Sequence, residues 1–363
     1  MLRLRHCNDD SPGITRKTVK GKPAYFAPDD ARITNREEID RLNAVALPPA
    51  YSDAWYCPHP NGHIQATGRD ARGRKQYRYH PLFRSRQDKN KYLGTIEFGA
   101  ALPRLRKRIE ADLHKSPTSR EAVLAAVVRL LDTEYIRIGN ESYARDNKSF
   151  GATTLRSRHL TNKSGKLLVR FTGKHGISRE LAITDRQLKR VVSKVTELPG
   201  QNLFQYVTDG DSPCAITSAD VNDYIRVGSG GEHTAKNFRT WGASVIAFDQ
   251  MLALQEADAG KISLKTVLEP VAEALGNTPA ISRKSYVHPK LIEAARDKPT
   301  RPLGKVTRPR ARKWLSSAEV GLLAWLMKGA KGGAVKAAKM DQAVEAAKTS
   351  PKKVDKLVEE VTN

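Results

Sequence analysis

At about residue 85 the chain changes texture, and that change limits the folds open to it. Before it, residues 1–83 are dense in Gly, Pro and aromatic residues, with short extended runs such as 22–27 and 62–68 set between turns. Short runs bounded by turn residues read as strands, so this stretch is expected to form a small β-rich domain with one helix near 35–42. After it, apolar residues recur at helical spacing. A helix is expected over 91–113, kinked or divided at Pro103, because proline lacks the N–H donor and crowds the preceding turn. The next should start with Thr118 as its cap and Glu121 as capping-box partner, and should bury Val123, Val127, Leu130 and Leu131. An extended hairpin is expected within 153–184, with Lys174 near its tip. Helices then return at 185–197, 219–227, 235–254 and 264–275, the last carrying Pro270. The expected class is α+β: a β-rich domain over 1–83, a larger and mainly helical domain over 84–300, and a basic extension over 301–363. Within that extension, 320–327 is apolar enough to pack on something, and an Ala/Lys-rich tail follows.

The 363 residues carry 63 Lys and Arg against 39 Asp and Glu, a formal charge of +24. Residues 301–363 hold 14 basic and 6 acidic side chains, so +16 of that charge remains in the body of the chain. A folded body this basic draws polyanions, of which nucleic acid is the usual one. No run approaches the length of a spanning helix, and the first ten residues lack an apolar signal core, so the protein is expected in the cytoplasm, associated with the nucleoid. Three scattered cysteines, Cys7, Cys57 and Cys214, imply no disulfide framework. Cys57, His59 and His63 are close enough to raise a metal site. They sit in a turn-rich loop without a clear fourth ligand and read better as polar loop residues.

Basic residues stand where a core is expected. Arg137 follows an apolar helix within TyrIleArgIleGlyAsnGlu, and Lys174 sits in the hairpin turn. Lys236 and Arg239, three apart, share a helix face whose opposite side carries Phe238, Trp241, Val245 and Ile246. Burying a charge among apolar neighbours is costly unless something pairs with it. Each taken alone reads as paired with a carboxylate or solvated. Taken together with Tyr286, which ends a helical turn at LeuGlyAsnThrProAlaIleSerArgLysSerTyr, they point to a phosphate held beside a phenol.

These segments, ArgIleGlyAsnGluSerTyr, PheThrGlyLysHisGly, LysAsnPheArgThrTrpGly and LeuGlyAsnThr…SerTyr, resemble in order and spacing the compact poxvirus and bacterial type IB DNA topoisomerases. GlyArgLysGlnTyrArgTyrHis at 73–80 resembles that family's DNA-contacting amino-terminal segment, and the likeness spans roughly residues 10–300. The resemblance implies a clamp on duplex DNA in which Tyr286 attacks one strand, leaving a 3′-phosphotyrosyl link and a 5′-hydroxyl. Rotation of the free end relaxes supercoils of either sign, and religation needs neither ATP nor metal, so no cofactor is expected. Arg137 and Arg239 grip the non-bridging oxygens, Lys174 protonates the leaving 5′-oxygen, and Lys236 assists near the same phosphate. Asn277 stands where many members carry histidine, and is assigned to phosphate positioning because an amide donates a hydrogen bond but shuttles no proton. Tyr143 matches a phosphate-contacting tyrosine. Arg74, Gln76, Tyr77 and Tyr79 are matched to DNA contacts, Gln76 suiting adenine and Arg74 guanine or phosphate. Tyr77 and Tyr79 alternate with Gln76 and Arg78, so the two tyrosines should share one strand face. Only 47 residues separate Arg239 from Tyr286, leaving no room for the long linker of the nuclear enzymes. A monomer is expected.

Two other readings compete. A tyrosine recombinase shares the chemistry, but such enzymes resemble a pattern with histidine where this chain has Lys236, and usually begin with an all-helical domain. A non-enzymatic DNA-compacting protein is allowed by the charge and the Ala/Lys-rich tail, but leaves Tyr286 and Lys174 without a purpose.

Overall fold

The computed structural model describes residues 3–163, 166–208 and 212–328, and separates a unit of residues 1–91 from one beginning at Tyr92. The Ala/Lys-rich tail beyond 328 lies outside the described residues.

The first unit is built on strands β1 (Ile14–Val19), β2 (Lys22–Phe26), β3 (Ser52–Tyr56), β4 (Ile64–Arg69) and β5 (Lys75–Tyr79), with helix α1 (Arg36–Ala44). The strands form one antiparallel sheet in the order β2-β1-β3-β4-β5, which leaves β5 at an edge. Its core is Ile14, Tyr25, Leu42, Leu47, Ala54, Tyr56 and Ala66, drawn from one face of the sheet, the inner side of α1 and, with Leu47, the segment after that helix. Asn35 starts α1 by accepting a hydrogen bond from the Glu38 N–H, so the expected helix lies where the cap and the leucine place it.

The second unit is mainly helical. Helix α2 (Pro81–Leu113), whose residues from Tyr92 onward belong to this unit, begins ten residues before its expected start, with proline at the first position, where its missing N–H loses nothing. Pro103 does not divide it. Leu102 and Leu105 are fully buried on either side, and core contacts carry the helix through the missing hydrogen bond. Helix α3 (Arg120–Glu134) is capped by Ser119, whose hydroxyl accepts from the Ala122 N–H, and not by Thr118. The Thr118 carbonyl is engaged by the N–H of Val207 instead. From Ala122 to Val128 every residue of α3 is buried, which makes it the central rod of the unit.

Helix α4 (Glu141–Asn147) leads to the antiparallel strands β6 (Leu160–Lys163), β7 (Lys166–Thr172) and β8 (Ser178–Ile183), in which β7 lies between the other two. Helix α5 (Arg186–Val195), the short pair β9 (Gln205–Val207) and β10 (Pro213–Ala215), and α6 (Ser218–Ser229) follow. Then come α7 (Ala235–Glu256), α8 (Leu264–Leu275), α9 (Pro279–Ser285) and α10 (Pro289–Asp297). Helix α11 (Ser317–Lys328) contains the apolar run at 320–327 and packs against α7, with Val320, Leu322, Leu323 and Leu326 buried. A β-sheet domain followed by a mainly helical core is the α+β arrangement that the change at residue 85 announces.

Candidate active site

Arg137 lies three residues past α3, on a segment that must turn sharply. Tyr135 takes a left-handed conformation at φ 50° and Gly139 reaches φ 101°, where a side chain would be strained. Bonds from Ala152 N–H to the Arg137 carbonyl and from Thr153 N–H to the Ile138 carbonyl, 2.8 and 2.7 Å, pin the segment. Ile136 is buried and Arg137 half-buried, so its guanidinium emerges from the core edge.

Helix α7 brings the second arginine. Arg239 is 4% exposed, while Lys236, one turn earlier, is exposed. The Arg239 guanidinium donates to the Tyr135 carbonyl and, at 2.9 Å, to the Leu275 carbonyl, and its Nε is buried without a partner. Gly242, the last residue of the TrpGly pair, must lack a side chain, since a Cβ there would meet the Tyr135 ring at 2.2 Å. That close approach seats the Arg137 segment directly on α7.

Tyr286 caps the C-terminus of α9, with its N–H bonded to the Ser282 carbonyl at 3.0 Å. The Arg239 guanidinium carbon lies 5.0 Å from its ring centre. Asn277 follows α8, and its Oδ1 accepts from Arg137 Nη2 at 2.9 Å. Its Nδ2 is buried and has no partner, a donor available for an incoming acceptor. Lys174 begins the turn of the β7–β8 hairpin, where His175 and Gly176 both have positive φ, and is exposed. Its Nζ stands 5.9 Å from the Tyr143 ring centre. An open pocket of about 320 Å³ is lined by Arg137, Tyr143, Lys174, Lys236, Arg239 and Tyr286 together. The helical unit thus gathers all of its expected site residues.

Electrostatics bind the group. Among the described residues none of Arg137, Lys174, Lys236 and Arg239 forms an ion pair with a carboxylate. Burial lowers the Arg239 pKa, the neighbouring Arg137 lowers it further, and Tyr286 offsets part of this, leaving it at about 10. Burial alone would raise the Tyr286 pKa, but Arg239 and then Arg137 outweigh it, and the phenol is easier to ionise than an ordinary tyrosine. Crowded cations with no anion among them form a preorganised cradle for one.

Arg179 does not stand out in the sequence as a site residue. From β8 it donates to the carbonyls of Glu134, Ala274 and Glu273 at 3.2, 3.0 and 3.3 Å, tying the end of α3 to the end of α8 and so setting Arg137 beside Asn277. Its one signal is its place in the hairpin that carries Lys174, and nothing in the sequence names its carbonyl partners.

The amino-terminal candidates sit on β5 and the turn before it. Tyr77 and Tyr79 share a face, exposed and stacked with centroids 5.8 Å apart. Gln76 points to the opposite face, so the two sets do not form one flat patch. Arg74 and Gln76 are both engaged by Asp70. In the same unit Cys57 Sγ lies 3.1 Å from Cys7 Sγ, and His63 Nδ1 accepts from the Cys7 N–H. Among the described residues no group of three or more His, Cys, Asp or Glu is placed to hold a metal ion, and no helix is long and apolar enough to cross a membrane.

Residues 80–307 match the family model of the eukaryotic DNA topoisomerase I catalytic core, and residues 23–70 that of the bacterial DNA topoisomerase IB N-terminal domain. The chain is 30% identical to DNA topoisomerase 1B of Acanthamoeba polyphaga mimivirus over 298 residues, 79% of this chain and 88% of the viral one. It is 21% identical to DNA topoisomerase 1B of vaccinia virus (strain Copenhagen) over 64% of this chain and 72% of that protein. With DNA topoisomerase 1 of rabbit fibroma virus (strain Kasza) it shares 23% identity over 62% and 70%. The match to the catalytic core covers the whole cluster from Arg137 to Tyr286, and this chain belongs to the type IB DNA topoisomerases, enzymes that bind DNA and relax it.

Proposed function

We propose that Tyr286 is the nucleophile of this topoisomerase and that Arg137, Lys174, Arg239 and Asn277 act with it on one phosphodiester. One observation carries the assignment: a phenol half-buried against a guanidinium, in a pocket whose cations lack carboxylate partners. The phenolic oxygen forms a bond to phosphorus as its proton passes to solvent, and the bond from phosphorus to the 5′-oxygen breaks. Lys174 gives that oxygen its proton and leaves it a hydroxyl. Arg137 and Arg239 hold the two non-bridging oxygens as charge grows on them, the role for which a planar guanidinium suits phosphate. The free Nδ2 of Asn277 donates to one of them. Lys236, exposed at the pocket rim, and Tyr143 contact the strand on either side. Reversal of the same steps religates the strand, and the energy of the broken bond is retained in the ester, so ATP has no place in the cycle.

We extend the reading to the amino-terminal unit, whose Arg74, Gln76, Tyr77 and Tyr79 contact the duplex that the helical unit cuts. Residues 1–83 serve DNA contact, 84–300 catalysis, and 301–363 form an extension of which α11 supports α7. The protein acts as a monomer on the nucleoid, in the cytoplasm. Trapping the covalent adduct on end-labelled duplex and mapping both the modified residue and the cut tests the proposal. A label on any residue other than Tyr286, or on the 5′ side of the break, overturns it.

A further inference from the structure

The turn between β4 and β5 is built on Asp70, and the two oxygens of its carboxylate do different things. Oδ1 accepts from the backbone N–H groups of Arg72 and Arg74 at 3.0 and 3.1 Å. With the backbone bonds from Asp70 N–H to the Arg74 carbonyl and from Gly73 N–H to the Asp70 carbonyl, this closes the turn. Oδ2 faces side chains instead. Arg74 donates to it from Nε and Nη2 at 2.8 and 2.6 Å, and Gln76 from Nε2 at 3.0 Å. The Arg74 hydrogen bond holds the carboxyl at about 2, well below its usual range, so it is an anion at any neutral pH.

A glutamine amide has a donor end and an acceptor end, and on a bare strand the two exchange by rotation of the last torsion. An ionised carboxylate only accepts, so it takes Nε2 and repels Oε1. One end of the Gln76 amide is thereby fixed. Its Oε1 and the second Nε2 proton are then offered side by side in a set order. A base edge showing a donor beside an acceptor complements that order, and in the major groove this is adenine, through N6 and N7.

We propose that Asp70 is a specificity-determining positioning residue, which orients the amide of Gln76 to read an adenine edge and sets the Arg74 guanidinium next to it. This rests on the reading of β5 as a DNA-contacting strand. Asp70→Asn separates the two functions of the carboxylate. Oδ1 remains to accept from the turn, whereas an NH2 group replaces Oδ2, turns away the donors of Arg74 and Gln76, and invites the amide to flip. Asp70→Ala removes the turn contacts as well.

The experiment uses the full chain and a pool of duplexes randomised around the cut, with covalent adducts captured and their DNA sequenced. The wild type should favour adenine at one position, and Gln76→Ala should erase that preference. Asp70→Asn should weaken it by roughly tenfold or more, the scale of one bidentate base contact. Asp70→Asn combined with Gln76→Ala should add nothing further. If Asp70→Asn keeps the full preference while Gln76→Ala loses it, Asp70 does not orient the amide and the proposal fails, although the reading of β5 stands. If Gln76→Ala leaves the preference intact, or no adenine preference exists, the reading of the strand fails with it. A melting temperature lowered as far in Asp70→Asn as in Asp70→Ala would assign the residue to the turn alone and overturn the proposal.

Discussion

Arg106 and Arg239 both lie largely buried in the helical unit, and they are supported in opposite ways. The Arg106 guanidinium is held by Asp132 at 2.8 Å, by both oxygens of Glu319 at 2.8 and 2.9 Å, and by the Trp314 carbonyl at 2.6 Å. Glu319 also accepts from Trp241 Nε1 at 3.0 Å, so α2, α3, α7 and α11 meet at one cluster in which two carboxylates answer the guanidinium. Burial pulls the Arg106 pKa down, but the two carboxylates more than offset it and the net shift is upward. Arg239 meets backbone carbonyls, a tyrosine and another arginine, and its pKa moves down. A buried cation whose charge is answered inside the fold is structural. One whose charge is left unanswered awaits a ligand.

Removing the Tyr286 hydroxyl should have the largest effect. Tyr286→Phe should yield no covalent adduct on labelled duplex, while non-covalent binding in a gel-shift assay stays nearly intact, because the cations are untouched. Relaxation of supercoiled plasmid by that variant would assign the chemistry elsewhere.

The two arginines should then part. Arg239→Ala should slow single-turnover cleavage by about 10²- to 10³-fold, the usual consequence of losing one transition-state donor. It strands no carboxylate and loses only the bonds to the Tyr135 and Leu275 carbonyls, so its melting curve should fall less than that of Arg106→Ala. Arg106→Ala should do the reverse. It leaves Asp132 and Glu319 buried and unanswered, which should destabilise the fold by about 3–5 kcal/mol in urea titrations. The folded fraction should still cleave. A matching pair of phenotypes, both catalytic or both structural, would erase the distinction.

That distinction is only partly legible in the sequence. Lys236, Arg239 and Tyr286 sit in short, locally encoded motifs whose helix periodicity and caps survive folding, so their faces are readable. Arg106 reads as one more basic residue on a long helix, because its partners are 26 and 213 residues away. Arg179 escapes for the same reason, since backbone carbonyls leave no trace in residue type. The Thr118 cap fails by one residue, as the neighbouring serine accepts from the Ala122 N–H and a distant strand takes the threonine carbonyl. At β5 the period of two correctly puts Tyr77 with Tyr79, but whether an edge strand presents one face or both is not a property of the strand alone.

A smaller effect extends the comparison to a third base without a carboxylate. His288, two residues past Tyr286, packs against the Tyr92 ring at 5.1 Å, and its N–H donates to Ser244 Oγ at 3.0 Å. Its Nδ1 accepts from the Lys290 N–H at 3.2 Å and so caps α10, which requires that nitrogen to be unprotonated. Burial, reinforced by Lys290, lowers its pKa to about 4. The folded state therefore binds fewer protons than an unfolded chain whose histidine titrates near 6.5. Stability should be fully present above that value and fall as the pH drops toward 4, by up to about 3 kcal/mol at one pKa unit per 1.36 kcal/mol. His288→Asn keeps a side-chain acceptor for the cap and titrates nowhere in this range. Urea melts of both proteins between pH 7 and about pH 4 should diverge by that amount. Parallel losses would place the acid sensitivity in other groups, and would leave the Tyr286 segment anchored independently of the histidine's charge.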